Sequence, residues 1–306
     1  MLDKFEFLIA LAREKHFRRA AERCGVSQPT LSAGLKQLEE SFGAALVNRG
    51  SRYIGLTVEG ERVLLWARKI TADARAMRQE VDTLRRGVGG VVRLAAIPTA
   101  LPVAARLCHA FAERYPQARI TVRSAASKSI QTMLEDFEID AGVTYLDNEP
   151  LDHVATTPLY LERYRLVTAI DGPFAGRAEV AWAQIAEHPL CLFTPDMQNR
   201  RILDQMLAER AAAPPHVTLE TNSSLVMAEI VSSGRWSSVM PPVLIAALPF
   251  GAQVRSLPVV EPEVTHLIGL AVVDRDPMTP VAAALVAEAR RLAPTLEPLG
   301  EGLRMS

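Results

Sequence analysis

Gln28, Thr30, Ser32, Ala33 and Lys36 fall on one side of a stretch, Arg18 to Phe42, that reads as helix, tight turn, helix. Together they offer an amide, two hydroxyls, a methyl and a cation. Base edges in a DNA major groove present donors, acceptors and thymine methyls, so this set has the chemistry to read base pairs and to touch a phosphate. Arg18 opens the stretch, and Ser27 and Pro29 stand at the turn. The candidate DNA-binding set is therefore Arg18, Ser27, Gln28, Pro29, Thr30, Ser32, Ala33 and Lys36. Further on, Arg49 and Arg52 flank a basic turn between two very short apolar runs. Such a wing brings arginines to phosphates or into a minor groove.

The elements that hold these groups follow from local rules. Ala20 and Ala21 are small enough for a second helix to pack close. Gly25 supplies the backbone freedom for a sharp turn. Ser27 is an N-cap with Pro29 in the first helical turn, and Val26 with Leu31 forms a hydrophobic staple. Leu31, Leu35, Leu38 and Phe42 recur at helical spacing, which predicts one buried face. An ordinary helical hairpin would share the turn. The cap, the staple, the polar outer face and the N-terminal position together favour DNA. Residues 3–14 predict an amphipathic first helix with Phe5, Leu8 and Ala12 on one face, broken by His16 and Phe17. Gly43 stops the second helix of the pair.

Thr57 caps a long helix running to about Arg86. In it Val63, Ala67, Ile70, Ala74, Met77, Val81 and Leu84 alternate at spacings of four and three. A seam sustained in this way predicts a partner helix, most simply a second copy of the chain. Gly87, Gly89 and Gly90 then form a hinge. Residues 1–90 carry 16 Lys/Arg against 11 Asp/Glu, and residues 91–306 carry 18 against 24, so a basic head precedes an acidic body.

From Val91 strands and helices alternate, which predicts an α/β body with mainly parallel sheets. Its length fits two small lobes joined by two crossings, near 161–165 and 262–267. No apolar run approaches the roughly 20 residues of a membrane span, and MLDKFEF lacks the form of a signal peptide, so no membrane partner and a cytoplasmic location are expected. Cys24, Cys108 and Cys191 have no metal-ligand spacing, and the His residues are dispersed; neither metal nor cofactor is expected. There is no P-loop, nucleophile elbow or dinucleotide fingerprint, which argues against an enzyme.

Ala21-x-x-x-Gly25, Val26-Ser27-Gln28-Pro29-Thr30-Leu31-Ser32, Leu38-Glu39, Leu46-Val47-Asn48-Arg49 and Leu56-Thr57 resemble the LysR-type transcriptional regulators, and the domain order resembles theirs over the whole chain. The resemblance implies a multidomain chain. A winged helix-turn-helix spans 1–58, and a dimerising linker helix and hinge spans 59–89. A two-lobed α/β effector domain similar to periplasmic binding proteins spans 90–306, its lobes being about 90–163 plus 267–306, and 164–266. It also implies a double-stranded DNA operator, a small effector that alters DNA bending and transcription from between the lobes, self-association as dimer and tetramer, and RNA polymerase as a partner. Many members carry long polar residues where this chain has Ala33 and Gly34, so base readout there would rest on a methyl or on bare backbone. Many have Phe in place of Val47.

Ile97-Pro98-Thr99 resembles the first cleft loop of the family and Ser127-Lys128-Ser129 the second, with Phe193-Thr194 through Arg200 supplying the opposite lobe. The effector set implied is Thr99, Ala100, Ser127, Lys128, Ser129, Thr144, Thr194, Asn199 and Arg200. Hydroxyl-bearing helix N-termini suit anions, so a short carboxylate such as formate is the expected effector, with Thr99 and Ser127 also capping their helices. The Ile-Pro-Thr stretch also resembles the peroxide-sensing branch of the family. That branch relies on a cysteine pair in the second lobe, where this chain has Cys191 in an apolar strand, so redox sensing is not expected. The competing reading is a cytoplasmic small-molecule-binding protein or enzyme with a helical appendage. It lacks both a catalytic motif and an export signal. A purely architectural DNA-binding protein would have little use for the acidic α/β body.

Overall fold

The computed structural model describes residues 1–49, 53–149, 151–210 and 215–300. One compact unit is Met1–Arg86, and a second begins at Gly87. In the first, α1 (Leu2–Glu14), α2 (Phe17–Arg23) and α3 (Gln28–Phe42) enclose a core of Phe5, Leu8, Leu11, Ala20, Ala21, Leu31, Leu35 and Leu38. Gly25 turns the chain at φ 67, and the Val26 N–H returns to the Ala21 carbonyl at 3.0 Å. Ser27 Oγ then accepts from the Thr30 N–H at 3.3 Å, the expected N-cap.

Two expectations for α3 are corrected. Phe42 is 49% exposed, because the helix stops at Gly43 (φ 64) and the core takes its next layer from Leu46 and Val47. Gly34 faces inward: a Cβ there would lie 2.7 Å from ring carbons of Phe7. It lets α1 and α3 approach and offers no backbone to a base.

β1 (Val47–Arg49) and β2 (Tyr53–Leu56) pair antiparallel, Val47 opposite Leu56. Glu39 Oε1 accepts from the N–H groups of Leu46 and Val47 at 3.0 and 3.1 Å, tying the wing to α3. α4 (Val58–Arg86) is capped by Thr57, whose Oγ1 accepts from the Gly60 N–H at 2.9 Å and donates to the Ala45 carbonyl at 2.7 Å. A Cβ on Gly60 would sit 2.0 Å from the Leu46 carbonyl oxygen, so only glycine seats α4 against the wing. The expected seam on α4 is split. Ala67 is buried in the core of the head and Val63 packs against it, because α1 lies along the start of α4. Ile70, Met77, Val81 and Leu84 are exposed at 39%, 63%, 50% and 83%.

The second unit runs β3 (Gly90–Ala96), a 3-10 turn (Pro98–Ala100), α5 (Leu101–Arg114), β4 (Ala118–Ser124), α6 (Ser127–Glu135), β5 (Ala141–Tyr145) and β6 (Val154–Glu162). It crosses to β7 (Arg165–Ala169), β8 (Val180–Ala181), α7 (Trp182–Ala186), β9 (Leu190–Phe193), α8 (Gln198–Arg210), β10 (Val217–Thr221), α9 (Ser224–Ser232), β11 (Ser238–Met240), α10 (Pro242–Ile245) and β12 (Val254–Val260). It returns through β13 (His266–Val273) and α11 (Pro280–Gly300).

The first lobe holds a five-stranded sheet ordered β4-β3-β5-β13-β6; the second holds sheets ordered β11-β7-β12-β8 and β10-β9. The five- and four-stranded sheets are mixed rather than mainly parallel, while β10 and β9 pair parallel. β13 enters from the other lobe at the end where β5 and β6 finish, His266 opposite Glu162 and Ile268 opposite Tyr145, and so runs against both. β3 and β5 remain parallel, with their C-terminal ends toward the crossings. In open α/β sheets that is the end where ligands bind.

Candidate functional site

On α3, Gln28, Pro29, Thr30, Ala33 and Lys36 are exposed and Ser32 is half-buried. Ser27 and Thr30 hydroxyls are 2.8 Å apart, so both are partly committed to the cap. Lys36 Nζ lies 3.9 Å from Glu40, an exposed pair that holds the lysine only weakly. Arg18 Nε is 3.0 Å from Glu22 on the surface of α2. Arg49 lies on β1 opposite Tyr53. Its side chain, and Arg52 with Gly50 and Ser51, lie outside the described residues. A short, mixed-polarity helix face with a cation at its far end can lie in a major groove and read base edges.

In the second unit a small pocket forms between the lobes. Ile97, Pro98, Thr99, Ala126, Ser127 and Tyr145 line it from one side, Phe193, Met197, Gln198 and Asn199 from the other. Its cavity of about 10 Å³ has room for about one water-sized group. Thr99 Oγ1, Ser127 Oγ, Thr144 Oγ1 and both amide atoms of Asn199 are buried without a hydrogen bond. Each such orphan costs about 1–3 kcal/mol, and those of Thr99, Ser127 and Asn199 belong to residues of this lining, which marks a site for a polar guest.

The expected caps do not form. Ala126 is the N-cap of α6 and Ala100 that of α5, while Thr99 lies in the 3-10 turn and Ser127 is already inside its helix. The hydroxyls are thereby left to the pocket. Of the rest of the implied effector set, Thr144 and Ala100 are buried but do not line the pocket, and Lys128 and Ser129 are exposed away from it. Thr194 is half-buried, its N–H bound to the Thr221 carbonyl at 3.2 Å. Arg200 is turned elsewhere: it donates to Asp204 and Glu220, each at 2.7 Å, and to the Phe193 carbonyl at 2.8 Å. It stitches α8 to β9 and β10. Among the described lining residues none is charged.

Sequence reasoning missed the polar cluster behind the pocket. Tyr145 Oη donates to Glu162 Oε1 at 2.7 Å, and Tyr160 Oη to Oε2 at 3.4 Å. Burial drives the Glu162 carboxyl up to about 7, against the opposing pull of the hydrogen bond from Tyr145. Thr99 lies within electrostatic reach of this pair without a hydrogen bond of normal geometry. His266 packs edge-on to Tyr145 and Tyr164, with ring centroids 6.0 and 6.1 Å away. Gln198 Nε2 donates to Asn148 Oδ1 at 3.1 Å, and Arg201 pairs with Glu149, so α8 is clasped to the first lobe. No sequence period pointed to it: strict alternation from Thr157 would put Glu162 on the outer face with Pro158, and the register shift at Leu159 turns Tyr160 and Glu162 inward.

Burial pushes the thiols of Cys108 and Cys191 up to about 11 and raises Cys24, and none of the three lines the pocket. Among the described residues no group of three or more His, Cys, Asp or Glu is placed to hold a metal ion, and no helix is long and apolar enough to cross a membrane.

Two family models match. Residues 2–61 match the bacterial regulatory helix-turn-helix protein, lysR family, and residues 85–294 match the LysR substrate binding domain. A probable hydrogen peroxide-inducible genes activator from Streptomyces viridosporus is 30% identical over 249 residues, 78% of this chain and 77% of that one. Among solved structures, a full-length OxyR variant from Pseudomonas aeruginosa is 25% identical, with a TM-score of 0.75 over 96% of this chain and 99% of that one. Full-length CbnR complexed with its target DNA gives a TM-score of 0.64 at 21% identity over 96% and 100% of the two chains. The chain belongs to the LysR family of DNA-binding transcriptional regulators, with an effector-binding domain following its helix-turn-helix head, and is not an enzyme.

Proposed function

We propose that this regulator reads its operator with the outer face of α3, steadies itself on phosphates through the wing, and responds to a small polar molecule held without covalent chemistry between the lobes. The observation that carries the effector site is the group of orphaned polar atoms on Thr99, Ser127 and Asn199 around one pocket. The lining offers no cation to select formate or another carboxylate, so that expectation is not kept. Several relatives are named as hydrogen peroxide-inducible activators. Here the thiols are held protonated by burial, and none faces the pocket, which favours reversible binding over oxidation of a cysteine.

The test is Thr99→Val with an effector found by thermal-shift screening. A lost hydrogen bond of about 1.5 kcal/mol lowers effector affinity roughly tenfold. DNA binding without effector should be unchanged. Equal affinity would move the site away from Thr99.

The bare stripe of Ile70, Met77, Val81 and Leu84 supports association of two copies through α4. Further pairing into a tetramer on DNA, and RNA polymerase as a partner, rest on the family resemblance alone. Met77→Asp places an unpaired carboxylate in that stripe, at a cost of about 2 kcal/mol or more per buried charge. Light scattering should then show the solution mass falling. An unchanged mass would place the contact on another surface.

A further inference from the structure

The carboxyl of Glu162 lies behind the pocket wall and is 1% exposed. Its hydrogen-bond partners among the described residues are two phenols, Tyr145 at 2.7 Å and Tyr160 at 3.4 Å. Other ionisable groups approach from each neighbouring element. His266 on β13 lies opposite Glu162 and stands 3.4 Å from Asp147, just past the end of β5. Tyr164, just past the end of β6, carries a buried hydroxyl without a hydrogen bond. Arg163 pairs with Glu263 at 2.9 Å. On α11, Glu288 is held by Arg114 and Arg291, Arg290 lines a groove with Arg163, and the side chain of Glu297 lies outside the described residues. No described cation is hydrogen-bonded to Glu162.

Tyr145 is also part of the pocket wall, and Thr99, another wall residue, comes within electrostatic reach of the same carboxyl. The Tyr145 proton is given to Glu162, so toward a guest the phenol can only accept. Asn199 Oδ1 is a second acceptor without a partner in the same lining. A guest that carries lone pairs alone leaves both unmatched. An anion meets a carboxylate one side chain away as well, with no cation among the described lining residues to offset the repulsion. We propose that Glu162 sets the specificity of this pocket: ionised, it rejects anions and admits neutral molecules that both donate and accept hydrogen bonds. The inference rests on reading the pocket as the effector site. Glu162 touches no guest; it is a positioning residue that acts through Tyr145 and Thr99. Burial raises its carboxyl to about 7, so the rejection sets in as pH rises through that value. An anion that binds only the protonated form has its affinity reduced by the protonated fraction, which is about a tenth at pH 8 and nearly one at pH 5.5.

The probes are formamide and formate, a neutral donor and acceptor and an anion of the same shape. Each is titrated into the full chain at pH 5.5 and pH 8, where formate is ionised throughout. Binding is followed by the methyl resonance of Thr99, assigned by its loss in Thr99→Val. Formamide should bind with similar affinity at both pH values. Formate should bind about tenfold more weakly at pH 8 than at pH 5.5. In Glu162→Gln, which keeps the side chain's shape and cannot ionise, formate affinity should be the same at both. Equal formate affinity at the two pH values in wild type overturns the role of Glu162, as does a loss at pH 8 that formamide shares. A pH dependence that survives in Glu162→Gln also overturns it and assigns the effect to another group such as His266. A Thr99 resonance that neither probe moves overturns the pocket reading, and this inference with it.

Discussion

Ala33→Glu is expected to abolish operator binding while leaving the head folded. Ala33 is exposed on α3 between Thr30 and Lys36, one turn from each. In a major groove its methyl would meet base edges, and the sugar-phosphate backbones would rise on either side. A carboxylate there loses the methyl contact, brings negative charge between two rows of phosphates, and must shed water without a partner. A loss of about 3 kcal/mol or more is expected, which is roughly a hundredfold or greater loss in affinity. The helix itself tolerates the change, since Ala and Glu differ by only a few tenths of a kcal/mol in propensity, and the side chain points into solvent. Retardation assays on the identified operator, with circular dichroism as the control for folding, read both halves. Wild-type affinity in this variant would move the recognition surface off α3.

Glu162 should make the second unit less stable as pH rises toward neutrality. Unfolded, its carboxyl titrates near the ordinary 4.5; folded, burial lifts it to about 7. Below the unfolded value both states hold the proton, and the stability due to the protonated form is fully present. Between the two values the native state binds more protons than the unfolded one, so that stability is lost as pH rises through about 7. The gap corresponds to about 3 kcal/mol. Glu162→Gln keeps an acceptor for Tyr145 and cannot ionise. Its stability relative to wild type should therefore rise by about that amount between pH 5 and pH 8, measured by urea unfolding at each pH. Parallel pH profiles for the two proteins would show that Glu162 does not titrate in this range.

The head was legible in the sequence because its decisions are local. Ser27, Gly25 and Thr57 each act on atoms within three or four residues, and all three do what their types predict. The misreadings there, Gly34 and Phe42, depend on neighbours distant in sequence: Phe7 claims the space over Gly34, and Leu46 and Val47 replace Phe42 in the core. The effector unit was legible only in outline. That Thr99, Ser127 and Asn199 meet depends on two lobes closing on each other, and the family resemblance, not periodicity, brought them together. Arg200 is turned from the pocket by Glu220, on a strand formed later in the chain, a pairing that no local spacing announces. Glu162 went unnoticed because its burial comes from β13, whose His266 lies opposite it only after the chain has passed through the second lobe and returned.

The central claim, a sequence-specific regulator working as a symmetric assembly, is tested most directly by selecting bound duplexes from a random DNA pool with the full-length protein and sequencing them. One enriched motif of two related half-sites spaced by whole helical turns is expected. Its affinity should exceed that for the pool by about a thousandfold or more at physiological salt. Recovery of no motif, with binding equal across the pool and removed by salt alone, would contradict it and leave only a charged head that holds any DNA.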